Sequence, residues 1–266
     1  MSFDTLQAAI RRARCPLALE LDGTLPESLR PSEGAGAEQL CSALEEYGVS
    51  MIDTLSPILP ALILSLPPYQ ALGWRGIALL ERLAAHGRER GMFVIAHVLQ
   101  GAAGPAAMQS AGYWLSVADC LTVNGYLGSA AIRPALEQAR QSDGCLFVLL
   151  RDANGGEVPD LVTGGRQVHQ AVADLALRLD RAESPSRIGA LFGSPYPSDL
   201  RTARKRLEKT FFLLPSLPVE DTLPVFDKFG RGALVTLDNA RPALPEQARQ
   251  AALSLREEYR GYFPFL

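Results

Sequence analysis

The sequence predicts an α/β protein: a single (β/α)₈ TIM barrel with an N-terminal capping helix. Three observations lead there. Short apolar runs alternate with helix-period segments along the whole chain. Eight such runs can be counted. The 266 residues fit the span of one barrel and contain no linker, repeat or low-complexity tract. Strand and helix in alternation build βαβ units on a parallel sheet, and eight of them close naturally. A doubly wound open sheet is the structural alternative. One domain, residues 1–266, is expected.

Taken in order, residues 3–14 place Phe3, Leu6, Ile10 and Ala13 on one side of a helix that Pro16 stops, and this helix is assigned to the barrel floor. Leu17 to Asp22 is the first strand. A Pro- and Gly-rich loop follows, then a helix from Ala37 to Tyr47 ended by Gly48. Further strands are expected near 61–65, 92–98, 119–124, 145–151, 187–193, 210–214 and 232–237. Helical segments lie between them, the last from Glu246 to Tyr259.

Composition narrows the function classes. With 26 Lys and Arg against 29 Asp and Glu, the net charge of −3 offers no electrostatic footprint for nucleic acid or acidic lipid, so neither is expected as a partner. The four cysteines, Cys15, Cys41, Cys120 and Cys145, are far apart, with no Cys-x-x-Cys pair and no histidine at ligand spacing. Reduced structural thiols, no metal site and no cofactor are expected. Asp4, Arg11, Arg12 and Arg14 interrupt the N-terminus and leave no signal-peptide core. In the most apolar stretch, 55–72, Pro57, Pro60, Pro67 and Pro68 break any spanning helix. A cytoplasmic chain with no membrane association is expected.

The stretch MFVIAHVLQGAAGP, Met92 to Pro105, reads as strand, loop and helix start. With its flanks it resembles the third strand and loop of orotidine 5′-monophosphate decarboxylases, where an Asp-x-Lys-x-x-Asp motif performs the chemistry. Segments similar to the bacterial branch of that family occur in the family's order: CPLALELDGTLPESL from Cys15, DCLTVNGYLG from Asp119, CLFVLLRDANGG from Cys145 and ARQAALSLREEYRGYF near the C-terminus. The resemblance covers nearly the whole chain. It places Asp22 near the substrate ribose, retains Arg151 and Asn154, and puts Gly125 where the family has Pro.

The departures cluster at the chemistry. His97 stands where the resemblance puts the first Asp, Leu99 where it puts the proton-donating Lys, and Ala102 where it puts the second Asp. In LILSLPPYQ, Ser65 stands where a second substrate-holding Lys is expected. Leucine can neither carry charge nor give up a proton, so the preorganised charges of that mechanism are missing. The phosphate grip also departs from the pattern. After the seventh strand, PSLPVEDT offers Pro215 and Pro218 without amide donors beside Glu220 and Asp221. After the eighth, Arg241 matches the family's phosphate-binding arginine only with two residues inserted before it.

These features predict a decarboxylase-like barrel without catalytic residues, a pseudoenzyme with a regulatory or structural role. The alternative is a different reaction on a small polar or phosphorylated ligand at the barrel mouth, with Asp22, His97, Asn124, Arg151, Asn154, Asp238 and Arg241 as candidate contacts. The resemblance implies a homodimer, or a heteromer with an active homologue, because family sites are built across a subunit interface. His97 is either a satisfied core histidine or a general base. A rival motif, ELDGTL, is similar to the Asp-x-Asp-Gly-Thr of haloacid-dehalogenase phosphatases, but Glu20 is one methylene too long for the nucleophile. Gly155 to Gly165 lacks the ending of a P-loop and reads as a barrel loop. His86, His169 and the basic run Arg201, Arg204, Lys205, Arg206 and Lys209 read as solvated surface. Finally, strand alternation puts Glu20 on one face with Asp22 and His97 on one face with Leu99, the position of the resembled family's inward-facing motif, and with Arg151 they are expected to form an interior polar cluster.

Overall fold

A computed structural model describes residues 2–32, 34–151, 157–180, 186–193, 197–237, 244–264 and 266. Eight parallel strands close a barrel in chain order: β1 (Leu17–Leu21), β2 (Ala61–Ser65), β3 (Phe93–Gln100), β4 (Cys120–Asn124), β5 (Cys145–Arg151), β6 (Ile188–Phe192), β7 (Phe212–Leu214) and β8 (Ala233–Thr236), which returns to β1. The expected barrel is therefore present. Strands such as ALILS and CLFVLLR are buried at every residue. Continuous apolar runs of this kind arise because helices cover the outer face while neighbouring side chains fill the inner one.

The outer layer comprises α2 (Ala37–Leu55), α4 (Gly73–Glu89), α5 (Gly104–Val117), α6 (Ser129–Gln141), α7 (Val168–Asp180), α8 (Pro197–Arg206) and α9 (Pro245–Tyr262), with a short α3 (Leu66–Ala71) after β2. The floor is closed by α1 (Phe3–Ala13), which buries Phe3, Leu6, Ala9 and Ile10 and exposes Asp4, Arg11 and Arg12. The Phe3 ring meets Phe147 edge-on at 5.1 Å and stacks on Phe211 at 5.4 Å. Gly189 makes room for them, since a Cβ there would lie 2.6 Å from Phe147 and 2.8 Å from Phe3.

Three local expectations are corrected. The helix expected to end at Gly48 runs on to Leu55. Gly48 instead lets α4 approach, because a Cβ there would lie 2.8 Å from Leu83 Cδ2. The loop before α7 carries one helical turn, Glu157–Asp160, and a hairpin pairing Val162–Thr163 with Arg166–Gln167. Gly164 and Gly165 turn it with φ of 57° and 78°, the left-handed geometry two-residue hairpin turns need. The basic run is not wholly solvated: Arg204 turns inward, donating from Nη1 to the carbonyls of Leu207, Glu208 and Thr210 and from Nη2 to Gly232. Its guanidinium lies 4.0 Å from the centre of the Phe212 ring. Burial lowers its pKa to about 10.

All four cysteines are buried free thiols. Among the described residues no helix is long and apolar enough to cross a membrane.

Candidate functional site

In TIM barrels the chemistry sits at the C-terminal ends of the strands. Here those ends enclose a cavity of about 230 Å³, lined by Glu20, Ile63, His97, Leu99, Leu149 and Leu191, and closed by Phe192, Leu213, Pro215 and Thr236. A larger depression, about 410 Å³, opens at the floor beside Phe3, Gln7 and Arg204. The mouth is preferred because conservation of chemistry in this architecture belongs to the strand ends, whereas the opposite face serves stability.

Glu20 is the acid of the cavity. Adjacent strands hold it: Glu20 is in register with Ile63, and Ser65 with His97. Ser65 Oγ donates to Glu20 Oε1 at 2.7 Å. Burial pushes the Glu20 carboxyl above its ordinary range, the serine hydrogen bond opposes this, and the charge of Asp22 adds to the rise.

The β3 wall carries a backbone irregularity. Register between β3 and β4 shifts between Ala96 and Gln100. Leu99 sits there at φ 40°, a left-handed conformation for a side chain that gains nothing local from it. One hydroxyl holds the distortion, since Thr122 Oγ1 accepts from Val98 N at 3.0 Å and from Leu99 N at 2.9 Å. Strain of this kind costs about 1–3 kcal/mol and persists where surrounding structure over-determines it.

Other candidates are spent on local structure. Asp22 Oδ1 accepts from Thr24 N at 3.0 Å, fixing the turn after β1. Its charge, after burial, helps push the Tyr47 phenol up to about 12 and raises Tyr69 as well. Asn124 Oδ1 accepts from Tyr126 N at 3.0 Å and starts a helical turn. Arg151 is buried and holds Asp160 with two hydrogen bonds of 2.7 and 3.0 Å, while Asp199 of α8 lies 3.2 Å away. Of the residues expected to cluster, Glu20 and His97 line one cavity, and Arg151, at a register shift between β5 and β6, pairs with Asp160 and Asp199. His169, expected on the surface, is largely covered, with Nδ1 3.0 Å from the Pro159 carbonyl and 3.9 Å from Asp160. The histidine and aspartates around Arg151 were invisible to sequence reasoning because they come from three places, Asp160 from the loop after β5, His169 from α7 and Asp199 from α8. Asn154, Asp238 and Arg241 lie outside the described residues.

No family model matches the chain. It is 31% identical over 235 residues to orotidine 5′-phosphate decarboxylase of Deinococcus radiodurans, a match covering 82% of this chain and 85% of the relative. The chain belongs to the orotidine 5′-phosphate decarboxylase family. The enzyme of that name from Rhodopirellula baltica is 27% identical over 260 residues, covering 88% and 86% of the two chains. Among solved structures, OMP decarboxylase of Leishmania donovani superposes with a TM-score of 0.78 at 26% identity, over 98% of both chains.

No lysine or arginine is among the described lining residues of the mouth, and leucines and Ile63 make half of its walls. The loop after β7 carries two prolines without amide donors, Pro215 and Pro218. Pro218 precedes the turn Val219–Thr222, Asp221 N already donates to Pro218 O, and Thr222 shares a 2.9 Å hydrogen bond with Tyr259. Among the described residues no three His, Cys, Asp or Glu side chains converge where a metal ion could be held.

Proposed function

We propose that this decarboxylase-family barrel does not decarboxylate orotidine 5′-monophosphate and acts instead as a non-catalytic, regulatory or structural protein. The observation that carries the reading is the cavity itself. Leu99 occupies the position that the sequence resemblance gives to the proton-donating lysine, and the cavity walls around it are apolar. Decarboxylation leaves an electron pair on carbon that must be stabilised and protonated, work done by preorganised charge and a positioned acid. A leucine supplies neither. Glu20, when ionised, repels the carboxylate of such a substrate, and Glu220 and Asp221 oppose its phosphate. Ser65 and Ala102 add to the loss of charge at the positions where the resemblance expects it.

The reading extends to a single domain working in the cytoplasm as a homodimer or beside an active homologue. A second reading, an enzyme of different chemistry, draws on Glu20 and His97 lining the same cavity, a carboxyl and an imidazole close enough to serve one small ligand.

The deciding experiment incubates the purified chain with orotidine 5′-monophosphate and follows loss of the orotate absorbance, with an active family enzyme as control. No turnover above background is expected, and calorimetry with uridine monophosphate should show no micromolar binding. Turnover in the range of ordinary enzymes, about 1–10³ per second, would overturn the proposal.

A further inference from the structure

The floor side of the barrel, at the opposite ends of the strands from the mouth, carries cations that the chain leaves unmatched. On the outer helices arginines meet carboxylates, as Arg82 meets Glu45, Arg90 meets Asp53 and Arg140 meets Glu137. At the end of α1, Arg11, Arg12 and Arg14 are exposed and form no ion pair among the described residues. Lys228 and Arg231, in the loop before β8, likewise form none, and both lie against one ring: Lys228 Nζ is 5.0 Å and the Arg231 guanidinium 4.7 Å from the centre of Phe229. That ring is 38% exposed. The loop's one carboxylate, Asp227, spends Oδ1 on the N–H groups of Phe229 and Arg231, at 2.8 and 2.9 Å. The one carboxylate of α1, Asp4, lies in its first turn, at the other end of the helix from the arginines. The two groups of cations belong to one surface. Gly232 N donates to Gln7 Oε1 at 3.0 Å, which seats the end of the loop against α1, and Arg11 follows Gln7 by four residues on the same helix face. Val235 N donates to Pro16 O at 2.8 Å, so the chain leaving Arg14 runs beside the chain leaving Arg231. Gly230 N closes the turn on Asp227 O at 3.0 Å and holds the loop's cations in place.

We propose that this floor-side patch docks a short acidic segment of a partner protein, with carboxylates on Arg11, Arg14, Lys228 and Arg231 and one apolar side chain against the exposed part of Phe229. The inference stands apart from the reading of the mouth and holds whether or not the mouth is catalytic. Charge complementarity selects the partner. Guanidinium groups take carboxylates with two parallel hydrogen bonds, and cations without internal partners have none to give up when a ligand arrives. Arginine and phenylalanine are also among the side chains enriched where proteins meet. Nucleic acid or an anionic lipid surface fits less well. Either extends beyond one helix end and one loop, and brings its charge against a chain whose net charge is −3. A short acidic segment keeps its carboxylates on the cations alone.

The test uses the full chain and a fluorescein-labelled peptide of alternating glutamate and aspartate with one central phenylalanine. Three probes are compared with it: the same peptide with glutamine and asparagine in place of the acids, a single-stranded RNA oligonucleotide, and phosphatidylcholine vesicles containing phosphatidylserine. Anisotropy titrations, with flotation for the vesicles, are run on the native protein, on Arg11→Glu with Arg14→Glu, on Lys228→Glu with Arg231→Glu, and on Arg133→Glu, an exposed arginine of α6 outside the patch. Thermal midpoints report folding, and either double variant suffices if the other does not fold. The acidic peptide is expected to bind saturably, at least tenfold more tightly than the amide peptide, the RNA or the vesicles, and to weaken as salt rises. Each double variant should lose tenfold or more, while Arg133→Glu stays within twofold of the native protein. Binding indifferent to the double variants, an equal loss in Arg133→Glu, tighter binding of RNA or vesicles than of the peptide, or no saturable peptide binding at millimolar concentration would overturn the proposal. A mass that climbs past the dimer with concentration and falls back in the double variants would assign the patch to a second copy of this chain, which overturns it as well.

Discussion

Thr122 shows how one side chain sets the shape of the mouth. Its buried hydroxyl accepts from two successive backbone N–H groups, Val98 and Leu99, and so holds Leu99 at positive φ. Thr122→Val keeps the shape and removes the acceptor. A buried donor left without a partner costs about 1–3 kcal/mol, so the variant should lose roughly that much in a denaturant midpoint measurement, more than a surface substitution does. An unchanged midpoint would mean that the backbone relaxes without the hydroxyl. Glu20 carries a pH signature of its own. Burial, the largest cause, raises its folded pKa above the ordinary carboxylate range. The unfolded chain therefore releases this proton at lower pH than the folded chain does. The folded state then holds more protons across that window, and stability falls as pH rises from the ordinary range through the raised value. In urea titrations across that window, Glu20→Gln should gain on the native protein as pH increases. A native protein that gains on the variant would show Glu20 stabilised as an anion. The strand, loop and helix start around His97 and Leu99 were legible in sequence, because an apolar run ends there in small residues before a helix. The partners of Arg151 were not, because Asp160 comes from the loop after β5 and Asp199 from α8, and nothing in their spacing announces the meeting.

At the scale of elements, the helix under the barrel was read from four apolar positions at helical spacing, and the structure adds what that helix does. Phe3 plugs the floor between Phe147 and Phe211. Phe3→Ala removes a buried ring from a site that rigid strands prevent from collapsing, and a loss of about 3–5 kcal/mol is expected in chemical denaturation. A loss under 1 kcal/mol would place the floor's stability elsewhere. Helix ends were less legible than helices. Gly48 has the residue type of a stop but the surroundings of a helix crossing, and only the position of Leu83 distinguishes the two. The hairpin at Val162–Gln167 was likewise missed, since two residues per strand are too few to show alternation, although Gly164 and Gly165 were its visible turn. The inward turn of Arg204 had no sequence signal, because its partners are carbonyls from the chain after α8 and from the β7–β8 loop.

For the whole molecule, the barrel was the most legible feature, because its count of alternating elements is a global pattern that tolerates errors at each boundary. Association is the property that pattern leaves open, and the surface provides an argument for it. Trp74 is 72% exposed at the start of α4, and Met108 in α5 and Leu127 after β4 are also exposed large apolar residues. The three follow β2, β3 and β4 in turn, so the order of elements puts them after the strands' C-terminal ends, as it does the exposed Leu29 after β1 and Val162 after β5. Exposed apolar groups on the side of the strand ends favour a partner that covers them, and a two-fold axis lets the same surface serve both subunits. A dimer is therefore expected, and it does not depend on catalysis. Light scattering at tens of micromolar, roughly the range in which micromolar association is complete, should report twice the chain mass. Trp74→Glu places a charge on that surface and should shift the protein toward monomer without lowering its thermal midpoint by more than the dimer contributed. A native protein that stays monomeric at those concentrations would assign these residues to another partner.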